Sequence, residues 1–272
     1  MSAATLLIAD LHLDGARPDT LQAALDTFAA AAGAFQDLWI LGDLFEAWIG
    51  DDAGLADPLG RRVADALAEL SDTGTRVHLM HGNRDFLLGE AFAQAAGATL
   101  HREDELTVEL AGQPVLLMHG DTLCSDDADY QGLRRQLRDP RWQAGFLALP
   151  IAERLAAAKR LRATSQEAGG RKSSRIMDVS ARTVQARLQA AHAEHGTTTL
   201  VHGHTHRPAT HDLTAQAPPY DATPIPAKRR VLGDWHAGGG QGLIADADGI
   251  RPVRCPAGIA PPSRGSDPAP PR

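Results

Sequence analysis

The chain has few cysteines, no long apolar run and no excess of positive charge. Its 272 residues include two cysteines, Cys124 and Cys255, which lie far apart in sequence and exclude a disulfide framework. No apolar run reaches bilayer-spanning length, and the first apolar run holds acidic residues and follows no basic segment, so we expect no signal peptide. A formal net charge of −7 argues against a nucleic-acid partner. We therefore expect a cytoplasmic protein, either soluble or peripheral to a membrane, and nothing implies a protein partner.

The length and the 43% hydrophobic content suit one sizeable core or two small ones. We favour a single domain over residues 1–256, interrupted by a helical insertion at about 125–187. Residues 257–272 are rich in Pro, Gly and Ser and are predicted to form a disordered tail. Deleting the chain after Pro256 is therefore expected to change little.

Five short apolar runs recur along the chain, and each ends in a polar cluster. They are TLLIADLH, DLWILGDLF, RVHLMHGNRD, PVLLMHGDT and TTLVHGHTH. Runs this short and this apolar are typical of strands buried on both faces. Helical patterns at residues 19–33 and 59–70 separate the first three runs. The alternation predicts a layered α/β fold, in which ligands bind at the carboxyl ends of the strands.

The pattern changes after the fourth run. Helical segments without strands fill residues 125–187 and predict a cap over the strand ends, and residues 180–196 predict a crossover helix back to the sheet. A loop with five prolines is expected at residues 208–226. Short strands are expected after it, at RRVLGDWH, QGLIADAD and RPVRC.

The polar clusters carry carboxylates, one carboxamide and imidazoles. This ligand set suits manganese, iron or zinc better than calcium. Each cluster alone more often indicates a turn or a packed histidine than a metal ligand, but five at strand ends point to a metal site. Seven ligands are too many for one ion and suit two ions if one carboxylate bridges them. The candidates are Asp10, His12, Asp43, Asn83, His119, His204 and His206. His202 has the same parity as His204 and His206, and spacing alone leaves it open.

The order D-x-H, G-D, G-N-R-D, H and G-H-x-H resembles the calcineurin-like metallophosphoesterases. The resemblance covers most of residues 5–210 and implies two packed mixed β-sheets flanked by helices. It implies that Asp10, His12 and His206 hold one ion, that Asn83, His119 and His204 hold the other, and that Asp43 bridges them. It assigns His202 and His81 to packing. Asp85 would either orient His119 or Arg84, or cap a loop.

Arg84 stands where many phosphoesterases of this class have histidine. An arginine stays charged and cannot protonate an alkoxide leaving group at neutral pH. It suits a phosphate leaving group, whose second pKa of about 6 requires no proton donor. Arg84 therefore favours cleavage of a diphosphate over a simple alkyl ester.

The insertion has a charge opposite to that of the rest of the chain. Between Cys124 and Ala190 there are 13 Lys and Arg and 7 Asp and Glu, a net charge of +6. Because the whole chain carries −7, the remainder carries −13. The segment also holds large apolar residues, which either join the cap helices or contact a lipid. Basic and apolar groups together suit a lipid with a phosphate head. These apolar residues are Trp142, Phe146, Leu147, Leu149, Ile151 and Leu155.

Seven stretches are similar to the UDP-2,3-diacylglucosamine diphosphatases of lipid A synthesis in Gram-negative bacteria. They are ADLHL, LGDLFEAWIGDD, HGNRDFLLG, MHGDTLCSDDADYQ, SQEAGGRKSSRIMDVS, HGHTHRP and VLGDWH. This resemblance implies two Mn²⁺ per chain and an enzyme peripheral to the cytoplasmic face of the inner membrane. The substrate contacts it implies are Asn83, Arg84, Asp127, Ser165, Lys172 and His204, with Tyr130 nearby. Gly169 departs from the family, which commonly has Asn there, so one polar contact is in doubt.

The implied reaction yields UMP and 2,3-diacylglucosamine 1-phosphate. Metal-activated water would attack the α-phosphorus, and Asn83, Arg84 and His204 would stabilise the developing charge. The alternative is another phosphohydrolase or phosphodiesterase of this scaffold acting on a nucleotide. A non-catalytic module with a dead metal site is disfavoured because every ligand position is filled.

Overall fold

Two β-sheets pack face to face between helices in a computed structural model of the chain. It describes residues 4–171, 178–215 and 225–259, with the backbone alone over 164–171 and at 215. The strands are β1 (Thr5–Ile8), β2 (Asp37–Leu41), β3 (Arg76–Met80), β4 (Ala98–His101), β5 (Glu105–Leu110), β6 (Gln113–Met118), β7 (Thr199–His202), β8 (Ala209–Ala215), β9 (Ile225–Val231), β10 (Trp235–His236), β11 (Gly239–Asp246) and β12 (Gly249–Cys255). The helices are α1 (Pro18–Ala31), α2 (Asp51–Ala56), α3 (Pro58–Asp72), α4 (Glu90–Ala95), α5 (Ala128–Leu137), α6 (Pro140–Leu147), α7 (Ile151–Arg171) and α8 (Ala181–His195). The expected sandwich of two mixed sheets is confirmed.

The first sheet joins the beginning of the chain to its end. Strands β1, β2, β3 and β4 run parallel in that order, with Leu6 beside Leu38 and Leu38 beside Val77. Strand β11 pairs antiparallel with β1, and β10 and β12 pair antiparallel with β11. The carboxyl ends of β1, β2 and β3 therefore lie at one edge.

The second sheet has the order β5-β6-β7-β9-β8. Its three central strands, β6, β7 and β9, are parallel, and the outer pairs are antiparallel. The carboxyl ends of β6 and β7 therefore also share one edge.

Alternating side chains divide the core into three apolar layers. Leu7 and Leu41 of the first sheet face Leu117 and Val201 of the second, and all four are buried. Side chains one residue away, such as Leu6, pack outward against α1, α3 and α4. On the far side of the second sheet, residues of β6 and β7 pack against α8. A period-two alternation of this kind is what a sheet buried on both faces requires.

The helices begin where the sequence indicates. The Asp57 carboxylate accepts a hydrogen bond from Leu59 N at 2.8 Å, with Pro58 in the first turn of α3. The expected helical character of the insertion is confirmed by α5, α6 and α7, and the expected crossover helix by α8. Within the described residues, no helix is both long enough and apolar enough to cross a bilayer.

The prediction of a loop at residues 208–226 is wrong in part. Strand β8 occupies its first half and pairs antiparallel with β9, with Asp212 beside Lys228. The strand ATHDLTA lies at the sheet edge and is mostly exposed, so it lacks the apolar run from which the other strands were predicted. Its conformation depends on pairing with β9, which sequence periodicity does not reveal.

The predicted tail begins too early. Residues 257–259 are described, and Ile259 is only 5% exposed within the outer apolar layer of the first sheet. Gly258 N donates to Arg254 O at 2.6 Å, and Ile259 N donates to Pro256 O at 3.0 Å. The remainder of the predicted tail, residues 260–272, lies outside the described residues.

Two truncations test this correction. A chain ending at Ile259 is expected to keep its free energy of unfolding, whereas one ending at Pro256 is expected to lose ~2–4 kcal/mol through loss of the buried Ile259 side chain. Urea unfolding with equal m-values for both chains is the measurement. Equal urea midpoints for the two chains would show that residues 257–259 do not stabilise the fold and belong to the tail.

Candidate metal centre

All seven candidate ligands lie just beyond the carboxyl ends of parallel strands. Asp10 and His12 follow β1, Asp43 follows β2, and Asn83 follows β3. From the second sheet, His119 follows β6, and His204 and His206 follow β7. Because the two sheets are packed face to face, their ligand-bearing edges meet. The ligands of both sheets therefore form one cluster.

The first group is formed by Asp10, His12 and His206, whose ligand atoms lie within 4.8 Å of one another. His12 Nε2 and His206 Nε2 are 3.1 Å apart, and His206 Nε2 is 3.5 Å from Asp10 Oδ1. Two imidazole nitrogens and a carboxylate that converge on one point form a suitable coordination site for a divalent ion.

The second group is formed around the Asn83 side chain. Asn83 Oδ1 lies 3.0 Å from His119 Nε2 and 2.9 Å from His204 Nδ1. Asp43 and Asp10 complete it, since their carboxylate oxygens and the His119 nitrogen lie within 4.8 Å of one another. The donors of this group are imidazole, amide and carboxylate, which are the types that manganese, iron and zinc accept.

Asp43 lies between the two groups. Its Oδ2 is 3.7 Å from His12 Nε2 and 3.6 Å from His119 Nε2, and its Oδ1 accepts a hydrogen bond from Arg84 N at 2.8 Å. Burial raises the pKa of Asp43 to about 6, although His119 and His12 act in the opposite direction. A carboxylate so costly to ionise, and facing both groups with one oxygen, fits a bridging position between two cations.

In three of the histidines, the far ring nitrogen, Nδ1, lies near an oxygen atom of another residue. His119 Nδ1 lies 2.9 Å from Leu41 O, and His12 Nδ1 lies 3.0 Å from Glu46 Oε2. His206 Nδ1 is 3.6 Å from Asp234 Oδ2. The hydrogen bond to Leu41 O fixes the His119 ring and directs its Nε2 toward a metal, while carboxylates adjoin the far nitrogens of His12 and His206. Glu46 and Asp234 were not anticipated, because their distance in sequence from the histidines gives no signal.

The backbone is strained at most of these positions. Among the described non-glycine residues, six have positive φ, and only Ala111 is not a candidate ligand. The other five are Asp10 (56°), His12 (48°), Asp43 (53°), His204 (67°) and His206 (54°). Asp and His tolerate this region better than most residues, and such strain concentrates at functional sites.

Two glycines allow the ligand loops to approach each other. A Cβ at Gly82 would overlap the Asp43 carboxylate, and one at Gly203 would overlap the Asp10 carboxylate. These glycines let the loop after β3 lie against the Asp43 carboxylate and the loop after β7 against the Asp10 carboxylate.

Asp85 caps the loop that carries Asp43. Its buried carboxylate accepts hydrogen bonds from Gly82 N and Leu44 N, both at 2.8 Å, and from Asp43 N at 3.3 Å. Of the two roles expected for Asp85, these contacts support loop capping. The carboxylate satisfies buried N–H groups and fixes the ligand loops relative to each other.

His202 and His81 have partners outside the metal centre. His202 is fully buried, with Nδ1 2.8 Å from Gly203 O and Nε2 3.1 Å from Arg229 Nη1. Burial and the Arg229 charge lower its pKa to about 3. His81 Nε2 lies 2.7 Å from Leu88 O. These contacts agree with the packing roles that the resemblance implied.

A second acidic group lies beside the centre and was missed. Asp121 is 2% exposed and accepts hydrogen bonds from Tyr130 Oη and Arg134 Nε, both at 2.7 Å. Burial opposes its charge, but His119 and Arg134 hold the pKa of Asp121 well below its usual value. Its position two residues after His119, in HGD, was the available signal. The Asp121 contact orients Tyr130, whose ring lies 6.2 Å from that of His204.

The remaining predicted substrate residues are divided between described and undescribed parts. Arg84 and Tyr130 line the cleft described below, and the Asp127 carboxylate accepts a hydrogen bond from Tyr130 N at 3.0 Å at the start of α5. The side chain of Ser165, and Lys172 entirely, lie outside the described residues.

An apolar cleft opens beside the metal centre. Asn83, Arg84 and Glu46 form its polar end. Helices α5, α6 and α7 supply most of its apolar wall, with Leu133, Leu137, Trp142, Phe146, Ala158 and Leu161. A mainly apolar wall with a few polar groups is typical of a site for an organic ligand.

Comparison with known proteins gives one family and a consistent set of relatives. A family model described as calcineurin-like phosphoesterase matches residues 4–208. The UDP-2,3-diacylglucosamine hydrolase of Chromohalobacter salexigens is 51% identical over 90% of this chain and 94% of its own length. The proteins of the same name from Cellvibrio japonicus and Escherichia coli are 48% and 46% identical, over 89% and 93% of this chain and 94% and 99% of their own lengths.

Replacing Asp43 tests the bridging position. Asp43→Ala is expected to lose both metal ions, because it removes a ligand from each group, whereas His12→Ala should lose one. Metal content after dialysis, by mass spectrometry, is the measurement. His211→Ala, which removes an exposed imidazole on β8, is the matched control and should retain both ions. Unchanged metal content in Asp43→Ala would exclude the bridge.

Proposed function

This chain belongs to the calcineurin-like phosphoesterase family, and from that membership we propose that it hydrolyses the diphosphate of UDP-2,3-diacylglucosamine. The products are UMP and 2,3-diacylglucosamine 1-phosphate, and the step belongs to lipid A biosynthesis. Relatives named UDP-2,3-diacylglucosamine hydrolase align with this chain over nearly their whole length. This similarity supports the proposed activity over other activities of the family.

One observation carries the choice of substrate: the metal centre opens directly into an apolar cleft. Asn83 contributes to both, since its Oδ1 faces His119 and His204 while the residue also lines the cleft. A substrate must therefore place phosphate at the ligands and hydrocarbon among Leu133, Leu161 and Phe146. A diacylated sugar joined to a diphosphate has this arrangement, and a soluble nucleotide does not.

The ligand groups would hold two manganese ions. Asp10, His12 and His206 would bind one, Asn83, His119 and His204 the other, and Asp43 both. Divalent cations at such a centre lower the pKa of water and so supply a nucleophile at neutral pH. Iron or zinc would also be accepted by these donors, and manganese is chosen because the related diphosphatases imply it.

Arg84, Asn83 and His204 would stabilise charge that develops on the phosphates. Arg84 N already donates to Asp43, so its side chain begins at the edge of the centre and enters the cleft. A guanidinium stays protonated, and it therefore stabilises a phosphate leaving group without transferring a proton. This property supports diphosphate cleavage.

The cap would bind the lipid half of the substrate. We propose one domain that extends to Ile259, with an insertion at about 125–187, and the α5, α6 and α7 side chains in the cleft wall support the position of this insertion as a cap. Asp127, Tyr130, Ser165 and Lys172 are proposed substrate contacts. Gly169 carries no side chain to replace the Asn common in related enzymes.

The proposed location is the cytoplasmic face of the inner membrane, where the enzyme would be peripheral. The support is chemical, because a diacylated substrate partitions into a bilayer and the cleft must receive it there. Another phosphohydrolase or phosphodiesterase acting on a nucleotide is the second candidate, and it would not require an apolar cleft.

Comparing two substrates tests the proposed function. In a manganese titration, UDP-2,3-diacylglucosamine is expected to be hydrolysed with a kcat/KM at least ~100-fold above that of UDP-N-acetylglucosamine, because the apolar cleft contributes binding only to the former. Leu161→Asn should reduce this preference by placing an amide in the cleft. Ala163→Asn, on the exposed side of the same helix, is the control and should not. Comparable turnover of the two UDP-sugars would favour the nucleotide hydrolase.

Isotope labelling tests which phosphorus is attacked. If the cap holds the sugar phosphate and draws it away as the leaving group, hydrolysis in oxygen-18 water labels UMP. Mass spectrometry of both products is the measurement, because attack at either phosphorus gives the same two molecules. Label in the lipid product would reverse the orientation of the substrate while leaving the metal ligands unchanged.

A further inference from the structure

The turn between α6 and α7 exposes a run of apolar residues. Residues 147–153 (LALPIAE) are all exposed, and six of the seven are apolar. Four large apolar side chains are exposed within the described residues, and all lie here: Leu147 (40%), Leu149 (38%), Ile151 (46%) and Leu155 (46%). We call these four residues the apolar tip. A contiguous exposed patch of this kind marks an interaction surface more often than scattered single residues do.

The apolar tip is held rigidly. Arg154, only 2% exposed, donates from Nε to Leu149 O at 3.0 Å and from Nη1 to Ile49 O at 2.7 Å. Its guanidinium also pairs with the Asp52 carboxylate. These bonds fix the turn to the loop before α2, so the apolar side chains face solvent from a fixed support and do not need to be ordered on binding.

Basic residues follow the apolar tip along α7. Ile151, Leu155 and Lys159 are spaced four residues apart, and all are exposed. Lys159 and the adjacent, exposed Arg160 lie ~12 Å along the helix from its first residue. This separation matches a helix end that enters the edge of the hydrocarbon layer while its cations reach the level of lipid phosphates.

The charge distribution selects an orientation toward an anionic surface. Between Cys124 and Ala190 the chain carries a net +6, whereas the complete chain carries −7. An anionic surface attracts this segment and repels the remainder, so the cap is directed toward it. A neutral or basic protein partner would not gain from the same distribution.

The apolar tip also adjoins the substrate cleft. Phe146, Ala158 and Leu161 line the cleft from α6 and α7, while Leu147 and Leu155 project outward from the same two helices. With the tip at a bilayer, the cleft lies within one helix diameter, ~10 Å, of the hydrocarbon layer.

We propose that the apolar tip, with Lys159 and Arg160, is the surface by which this protein docks on an anionic lipid bilayer. The inference rests on the proposed function in one respect, because docking would bring the enzyme to its lipid substrate. It adds which surface makes the contact, and it makes the cap both a wall of the cleft and a membrane anchor.

Vesicle binding by the full-length chain tests the proposal. The double variant Ile151→Ser with Leu155→Ser is expected to bind vesicles of equal parts phosphatidylcholine and phosphatidylglycerol at least ~10-fold more weakly than wild type. Lys159→Gln should weaken binding to these vesicles and leave binding to pure phosphatidylcholine unchanged. Lys228→Gln, an exposed lysine on β9, is the matched control and should bind like wild type.

Activity separates the docking from the proposed reaction. Neither Ile151 nor Leu155 lines the cleft, so the double variant should hydrolyse detergent-dispersed substrate at the wild-type rate and vesicle-embedded substrate more slowly. Failure of wild type on dispersed substrate would count against the proposed function alone. Equal vesicle binding by the double variant and wild type would overturn the docking surface. So would a wild-type dimer that the double variant abolishes, if neither protein binds vesicles, because the tip would then be a self-association face.

Discussion

The face-to-face contact between the two sheets is the constraint on which the site depends. Each proposed metal position takes ligands from both sheets: Asp10 and His12 meet His206, and Asn83 meets His119 and His204. Neither sheet alone forms a complete group. The buried layer of side chains between the sheets, which includes Leu7 and Val201, therefore sets the distance between metal ligands as well as stabilising the fold. A volume change in that layer acts at the centre without touching a ligand.

Asp10 and Asp43 are both buried carboxylates at this edge, but their pKa values are shifted in opposite directions. Burial would raise the pKa of Asp10, but contact with His206 and the charge of His119 hold it below the usual value. Burial prevails at Asp43, whose pKa rises to about 6. Asp85 is occupied with backbone N–H groups and keeps the ligand loops in place. Between Asp10 and Asp43, it is Asp43 whose ionised form gains more from adjacent cations, which agrees with its position between the two histidine groups.

Much of this arrangement could be predicted from short-range sequence signals. Runs such as TLLI and TLVH predict buried strands, and ligands placed just after them must share an edge if the strands are parallel. Other features depend on contacts between distant segments. Strand β8 exists by pairing with β9, Ile259 is buried by returning to the first sheet, and Glu46 reaches His12 across a loop. The positive φ angles of the ligands also leave no trace in the sequence, because Asp and His occur in many backbone conformations.

The topology has a consequence for the order of events during synthesis. The ligands of the first group come from positions 10, 12 and 206, and strand β1 acquires its antiparallel neighbour only when residues 239–246 are available. A nascent chain that has emerged through the cap still lacks the histidines that complete both groups. Ribosomal synthesis therefore exposes one edge of β1 long before its antiparallel partner β11 exists, and such delayed pairing favours chaperone binding. Neither metal group is complete until His204 and His206 have been synthesised, so metal bound by a complete group cannot guide the early stages.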